Sequence, residues 1–544
     1  MLLLAESTSP EDLAAVDTSK PNLGDEDAAF AELQRRLRPF ESVDAPQSVG
    51  ERVVVAIPSI NFDPWILNAH ENELPALEER FLYFLFALRK PLVRVVVVTS
   101  LPVQERVIDY YLGLMPEVVD ARARLHFLSP HDDSPRPLAQ KVLERPELLA
   151  RLRALVPDHE RSFIAPYNVR GFERDLALAL DVPIYGVDHR FAMHGLKSGC
   201  RRLFARTCVS HPLGVAGIRD TAELAKALVA LRAAQPGLEA AVVKLDDGVY
   251  GEGNRVINLR DIPQRTSPEA RAAVDMRLRN LPPAYIEKLA GGAVVEELIT
   301  GEIRSPSVQM RILPDGTPVV ISTHDQVLGG EFGQMFVGGQ FPADPQYAPM
   351  IVDEARKLGD YLAAEGVVGR FGVDFVVARQ ATSWTPYAVE INLREGGTSH
   401  PYGTLWLLTD GSLDERKVCF TTPSGQVKHY FATDRLVAPD YRAIRLDSFL
   451  EASSAASLDW DPGSQTGAVY FMLRGLEERG WIGVVAMGNS AEQAHEIYLK
   501  VVRLLDGLGH KQTLWRRASA HDRLTSRAAA CGRPTPSLDL PPPR

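Results

Sequence analysis

Hydrophobic positions fall first into short unbroken runs and later into alternating pairs, and the change divides the chain. Val53-Val54-Val55-Ala56-Ile57, ended by Pro58-Ser59, and Val93 to Val98, ended by Thr99-Ser100, are continuous and largely β-branched. Such runs suit parallel strands covered on both faces. Between them Leu77 to Leu88 reads as helix, and shorter apolar runs recur at Leu125 to Leu128, Phe163 to Ala165 and Pro183 to Tyr185. Strands alternating with helical segments predict an open α/β layer over residues 51–190.

The pattern changes near residue 191. A basic helical segment, Lys197 to Phe204, precedes a second helix whose Asp220 and Glu223 have capping-box spacing. Paired strands follow: Ala241 to Leu245 with Arg255 to Leu259, Val308 to Ile312 with Val319 to Thr323, and Val373 to Ala378 with Tyr387 to Leu393. Antiparallel pairs mixed with helices predict an α+β unit over 191–410. A third, smaller α+β region is expected over 411–510, with a strand at Ile482 to Ala486 and a helix opening at Asn489-Ser490. Residues 1–50, rich in Asp, Glu, Ser, Pro and Ala, read as disordered, and 511–544 as a flexible tail.

At 544 residues the chain exceeds what one core usually organises, which agrees with several domains. Its net charge of −10 argues against a nucleic-acid-binding face. The densest apolar run, Phe81 to Leu88, is too short to span a bilayer, so no membrane partner is expected. Cys200, Cys208, Cys419 and Cys531 form no CxxC pair and no metal-type spacing, and a reducing, cytoplasmic setting is the simplest reading.

Three segments carry candidate chemistry. In Val242 to Asn254, Lys244 closes an apolar strand beside a loop containing Gly248, Gly251 and Gly253. Backbone N–H groups of such a loop can meet phosphate oxygens while the lysine supplies a point charge. It is neither a Walker A loop nor a GxGxxG turn, and a hairpin with a surface lysine explains it as well. In the second segment Asp374 lies on one strand, and Glu390 and Asn392 lie two apart on the next. Alternation and hairpin pairing can gather all three on one face, where two acids repel unless a cation intervenes. Oxygen-only donors suit Mg²⁺, and Arg394 occupies the next same-face position, where it could meet an anionic intermediate. A solvated polar face is the competing reading. The third segment, Val294 to Glu302, flanks Glu296 and Glu297 with apolar residues and suits a strand leading into a linker. His324, His400 and His211 have no metal-like spacing; His400 is the best candidate for a substrate pocket. Cys200 lies among arginines, which would lower a thiol pKa, but no base accompanies it and a structural role is expected.

Taken in order, these elements resemble the ATP-grasp superfamily of carboxylate–amine ligases. Gly195 to Phe204, Glu390-Ile391-Asn392-Leu393-Arg394-Glu395-Gly396-Gly397, and Gly480-Trp481-Ile482-Gly483 with Met487 to Ser490 resemble segments of the pheganomycin-type peptide ligases. The resemblance spans roughly 50–510 and implies a pre-ATP-grasp domain, an ATP-grasp domain and an extra C-terminal domain. It implies ATP and Mg²⁺ as cofactors. Lys197 and Lys244 would contact phosphates, with the glycine loop as lid. Glu296, Glu297, Leu298 and Ile299 would line adenine, and Glu302 would hold ribose. Asp374, Glu390 and Asn392 would hold Mg²⁺, while Arg394 and Arg370 would steady the acyl phosphate and the tetrahedral adduct. Asp246 and Asp247 begin the loop where neutral residues are common in that family, which leaves its closing electrostatics open. The reaction implied joins an amino-acid or peptide-like carboxylate to an amine through an acyl phosphate, releasing ADP and phosphate. An ATP-grasp carboxylase or phosphate-transfer enzyme, and a nucleotide-binding regulator without turnover, are the rival readings. The substrates and the oligomeric state are not legible.

Overall fold

A computed structural model describes residues 25–37, 51–248, 253–329 and 335–530. Arg52–Ile57 (β1), Val93–Val98 (β2), Leu125–Leu128 (β3) and Ser162–Pro166 (β4) form a parallel sheet in the order β3-β2-β1-β4. Successive side chains of β1 and β2 enter different cores, which is why both runs are largely apolar, with Arg52 and Arg94 near their starts. Val54, Ala56, Val95 and Val97 pack with Phe81 to Leu88, whereas Val53, Val55, Val96 and Val98 pack with Leu176, Ala177 and Leu180 of the helix Gly171–Leu180.

The second core holds a surprise at the N-terminus. The stretch expected to be disordered contains a helix, Asp25–Gln34, and its Phe30 and Leu33 are buried against this face of the sheet. Leu37 is buried as well. Asp, Glu and Ala dominate the segment, so its few apolar side chains are masked in composition although Phe30, Leu33 and Leu37 recur at helical spacing.

Gly214–Ile218 (β5), Ala240–Leu245 (β6), Asn254–Asn258 (β7) and Ala293–Glu297 (β8) form a second, antiparallel sheet in the order β5-β8-β6-β7. One face, with Ala241, Val243, Leu245 and Val295, buries against the helices Thr221–Ala234 and Pro268–Leu278. The other presents Val242, Lys244, Val294 and Glu296. Asp220 caps the first of those helices by accepting from the Glu223 N–H at 2.8 Å.

The third sheet is the largest. After the short Ile303–Arg304 (β9), it contains Pro306–Ile312 (β10), Pro318–Gly329 (β11), Met335–Phe341 (β12), Gly369–Gln380 (β13) and Ser383–Asn392 (β14). The turn between β10 and β11 uses Gly316 at φ +91, a conformation that favours glycine. The helix Ala348–Ala364 covers the apolar face through Ile351, Ala355 and Leu358, against Met310, Phe371 and Val373.

A small hairpin, Ser412–Asp414 (β15) with Cys419–Thr421 (β16), follows the helix Ser399–Thr409. His429–Val437 (β17), Gly467–Phe471 (β18) and Trp481–Gly488 (β19) then continue the large sheet beyond β12 in the order β17-β19-β18. The stretch read as a separate region after residue 410 therefore shares its sheet with the preceding one. A final helix runs from Ala491 to Ala530, well into the expected tail, as its many Ala, Leu, Arg and Lys residues favour. No helix among the described residues is long and apolar enough to cross a membrane.

The apolar run Phe81 to Leu88 is buried along its whole length because it has neighbours on every side. It belongs to one core with Leu405 and Leu408 and with Val469 and Val484 of the C-terminal strands. Removing a buried ring loses transfer energy and leaves a cavity. Phe30→Ala is expected to destabilise the N-terminal layer by about 3–5 kcal/mol. Urea denaturation followed by circular dichroism reads this, and a variant as stable as wild type would show that the Asp25–Gln34 helix contributes nothing to the core.

Candidate active site

Antiparallel pairing of β13 with β14 sets Asp374 opposite Glu390 and Gly372 opposite Asn392. Phe371, Val373 and Phe375 point into the core on one face, so Arg370, Gly372 and Asp374 occupy the other. Asp374 accepts from Asn392 Nδ2 at 2.9 Å and from Gln326 Nε2 at 2.7 Å. Burial, and then the charge of Glu390, push the Asp374 carboxyl up to about 7.

Glu390 has a different neighbour. Lys197 Nζ lies 2.6 Å from Glu390 Oε1 and donates to the Gly248 carbonyl at 3.0 Å. Burial alone would raise the Glu390 carboxyl, but the adjacent ammonium outweighs it and holds the group below its ordinary value. The Lys197 ammonium is raised in turn, burial being overcome by Glu390. Lys197 opens the helix Lys197–Arg206, and Asp246 accepts from the Ser198 N–H there at 2.8 Å. A carboxylate satisfying a helix N-terminal N–H is favourable in charge as well as in hydrogen bonding. Asp246 thus pins the loop base to the helix that carries Lys197.

A second buried ion cluster lies on the open face of β6 and β8. Glu296, 2% exposed, sits 2.7 Å from both Lys244 Nζ and Arg201 Nη1. Burial opposes its ionisation, yet the two cations hold its pKa below the ordinary value. Gly248 and Gly253 close the loop base in direct backbone contact: a Cβ on Gly253 would stand 3.0 Å from the Gly248 Cα.

Between the N-terminal layer and these elements lies a cavity of about 290 Å³. Lys197, Gly248, Glu390, Asn392 and Arg394 line it on one side, with Arg170 opposite. The Arg394 guanidinium rests over the rings of Phe62 and Tyr167, 5.5 and 5.7 Å from their centroids, and donates to the Tyr167 hydroxyl at 3.2 Å. Such a pocket is anion-seeking at the lysine and arginine and cation-seeking at the paired acids.

Residues 224–398 match a family model described as an ATP-grasp domain. The L-propargylglycine–L-glutamate ligase of Streptantibioticus cattleyicolor is 32% identical over 452 residues, which cover 80% of this chain and 91% of that one. The chain belongs to the ATP-grasp ligases. Among solved structures, an ADP complex of N5-carboxyaminoimidazole ribonucleotide synthetase aligns at 12% identity over 85% of this chain and 98% of that one, with a TM-score of 0.47. An L-amino acid ligase from Bacillus licheniformis aligns at 14% identity over 85% and 98%, with a TM-score of 0.45.

The structure of this ligase distributes the sequence candidates over several places. Lys197, Gly248, Glu390, Asn392 and Arg394 share the cavity wall, with Asp374 bonded to Asn392. Lys244 and Glu296 pair with each other on the small sheet. Glu297 accepts from the Leu213 N–H at 2.8 Å, the Leu298 N–H donates to the Ala240 carbonyl at 3.2 Å, and Ile299 is half-buried. Glu302 is exposed, 3.8 Å from Arg304 and from Arg379. Arg370 faces a different cavity, and Gly251 lies outside the described residues.

Two expectations need correction. His400 is outside the large cavity, buried with its ring centroid 4.1 Å from that of Phe471, and burial holds its imidazole well below the ordinary value. The neighbouring arginines do not lower the Cys200 thiol: burial pushes it up to about 12, against the pull of Lys197, which agrees with the structural role expected of it. Sequence reasoning passed over Arg201, although it stands four positions after Lys197 and so on the same helix face. It also passed over Gln326, which nothing local connects to Asp374. A thiol near 12 exposes only about one thiolate in ten thousand at pH 8. Brief treatment of the native ligase with iodoacetamide is expected to modify exposed Cys208 and spare Cys200, which reacts after unfolding. Peptide mass mapping checks this, and rapid native labelling of Cys200 would contradict its burial.

Proposed function

We propose that this ligase joins an amino-acid or peptide-like carboxylate to the amine of a second small molecule, in the cytoplasm, with Mg²⁺ accompanying ATP. The observation that carries the reading is the convergence of Lys197, Glu390, Asn392 and Arg394 on one cavity, backed by Asp374. The Streptantibioticus relative is named for two amino acids, L-propargylglycine and L-glutamate, which supports substrates of that class here.

The oxygen donors fit Mg²⁺. Asp374 and Glu390 are opposite each other on paired strands, and burial, with the charge of Glu390 added to it, raises the Asp374 carboxyl, a cost that a cation bound between the two would relieve. Asp374, Glu390 and Asn392 are proposed to hold the ion, which supplies charge neutralisation at the phosphates when bound.

The chain's own residues do the rest. Lys197 and Lys244 offer ammonium protons to phosphate oxygens, exchanging some of their present contacts with Glu390, Gly248 and Glu296 for contacts with nucleotide. The backbone N–H groups of the glycine loop cover the same oxygens. Val242 and Val294 give the open face of the small sheet an apolar floor for the base, with Glu297 to Ile299 at its edge and Glu302 toward the ribose. The substrate carboxylate attacks the γ-phosphorus and ADP departs; the amine then attacks the acyl carbonyl and phosphate departs. Arg394, oriented by Phe62 and Tyr167, faces the charge that develops on the acyl phosphate and the tetrahedral adduct. An acyl phosphate hydrolyses in water, so a loop that closes over the cavity protects it.

Removing a preorganised charge from such a site costs roughly a hundredfold in rate. Lys244→Ala is expected to lower ADP release about a hundredfold and weaken ATP binding, while Arg201 keeps Glu296 paired and the melting temperature is retained. Lys244→Arg should recover little, because a planar guanidinium does not reproduce a compact ammonium. Glu390→Gln keeps a hydrogen-bond acceptor for Lys197 and is expected to raise the Mg²⁺ requirement. ADP release is measured with L-glutamate and L-propargylglycine first and a wider amino-acid panel next, with products identified by mass spectrometry. Wild-type turnover and ATP affinity in Lys244→Ala would remove it from the nucleotide site, and absence of any amide product from the wild-type protein would sink the reading.

A further inference from the structure

A second cavity, of about 180 Å³, is lined by Glu395, the residue that follows the Arg394 of the first. It is smaller than the ~300–1,000 Å³ typical of drug-sized sites, which suits a ligand the size of one amino acid. Its walls come from three parts of the chain: Tyr83 and Phe84 of the buried apolar run, Arg311 and Arg370 of the large sheet, and Tyr402 and Trp406 of the helix Ser399–Thr409.

Charge is what marks this cavity as a site. Register places Arg311 directly opposite Arg370 on β10 and β13. Like charges directly opposite each other in a sheet are destabilising unless an anion lies between or beside them. One carboxylate is at hand, Glu395, 3.3 Å from Arg370. Arg370 is 8% exposed, and its Nε and Nη2 have no hydrogen-bond partner, nor does Glu395 Oε2. Buried donors left in that state carry a cost, which a ligand carboxylate would remove. Glu395 adds an acceptor suited to an ammonium beside that carboxylate, and the aromatic walls suit an apolar side chain.

We infer that this cavity seats the amine-donating substrate as a free α-amino acid with an apolar or aromatic side chain, its unreacted carboxylate on Arg370 and its amino group on the Glu395 side. The inference rests on the ligase reading above and deepens it. Position along β13 distinguishes this carboxylate from the one that is phosphorylated. Arg370 and Asp374 are on one strand face, four residues and therefore about 13 Å apart. That backbone spacing sets a carboxylate held by Arg370 apart from the metal-side acids, as suits the end of the substrate that is not phosphorylated. The interval leaves room for the phosphoryl group, the acyl carbon and the incoming nitrogen between the two ends. Arg394, which lines the first cavity, donates at 3.0 Å to the carbonyl of Glu395, which lines the second, and so links the two sites.

The test uses the full-length protein with Mg-ADP and compares each of the common L-amino acids with its α-carboxamide, first by calorimetric binding and then as acceptors in turnover. Carboxamides keep the amine but not the anion. Wild type is expected to prefer at least one apolar amino acid over its amide by roughly a hundredfold, the scale of a hydrogen-bonded charge pair. In Arg370→Gln this preference should fall to near unity while the KM for ATP stays within about twofold. Trp406→Ala, a change at a half-buried wall, should shift the preference toward larger side chains and leave the acid-to-amide ratio alone; it keeps the test decisive if Arg370→Gln fails to fold. An undiminished acid preference in Arg370→Gln, an unaltered side-chain preference in Trp406→Ala, or no amino-acid binding to wild type would overturn the assignment. Amino-acid binding with the expected Arg370 dependence but no ADP release would instead support the cavity and overturn the proposed reaction.

Discussion

Buried charge must be compensated, and that constraint organises everything around the cavity. Glu390 and Glu296 are taken into the interior by two different sheets, and each would be costly there alone. Lys197 meets the first from a helix, while Lys244 and Arg201 meet the second from a strand and the same helix. The Lys197–Arg206 helix is therefore tied electrostatically to both sheets, and its first turn is tied again to the loop base through Asp246. These are cations already desolvated and already oriented. On the proposed reading, phosphate oxygens would replace carboxylate oxygens at these cations with little further reorganisation, which is what preorganisation means physically.

The same constraint accounts for the division of labour among the arginines. Arg201 is spent on a buried acid, Arg394 is braced by two aromatic rings at the cavity wall, and Arg370 faces a separate chamber with only partial compensation from Glu395. Three guanidinium groups of one charge thus have three different chemistries. What separates them is what each can reach, and that is set by the element that carries each one: a helix for Arg201, strand register for Arg370 and the segment after β14 for Arg394.

Rigidity comes from continuity. The large sheet runs unbroken from β14 to the C-terminal strands, and the Phe81–Leu88 segment is buried simultaneously against the N-terminal layer, the Ser399–Thr409 helix and those C-terminal strands. The smaller cavity is walled largely by residues of that common core, so their spacing is held by packing density. Distances along β13, including the interval between Arg370 and Asp374, are carried by a single strand paired on both edges.

Local pattern alone determined a good part of this protein. Val-rich runs identified the parallel layer, paired apolar runs the hairpins, and the spacing of Glu390, Asn392 and Arg394 a shared strand face, because a period of two residues is a property of the backbone and needs no partner. The N-terminal helix escaped, since the three buried apolar side chains of 25–37 are diluted by acids and alanines. Tertiary structure decided which charges meet. Lys197 and Glu390 are 193 positions apart, and no local rule pairs them or sends Gln326 to Asp374. It also decided burial, and with it the state of the Cys200 thiol: neighbouring arginines in sequence suggested activation, but the helix turns their charges elsewhere and leaves the sulfur in the core. Pairing and desolvation depend on where distant segments are brought together, and a linear pattern does not contain that information.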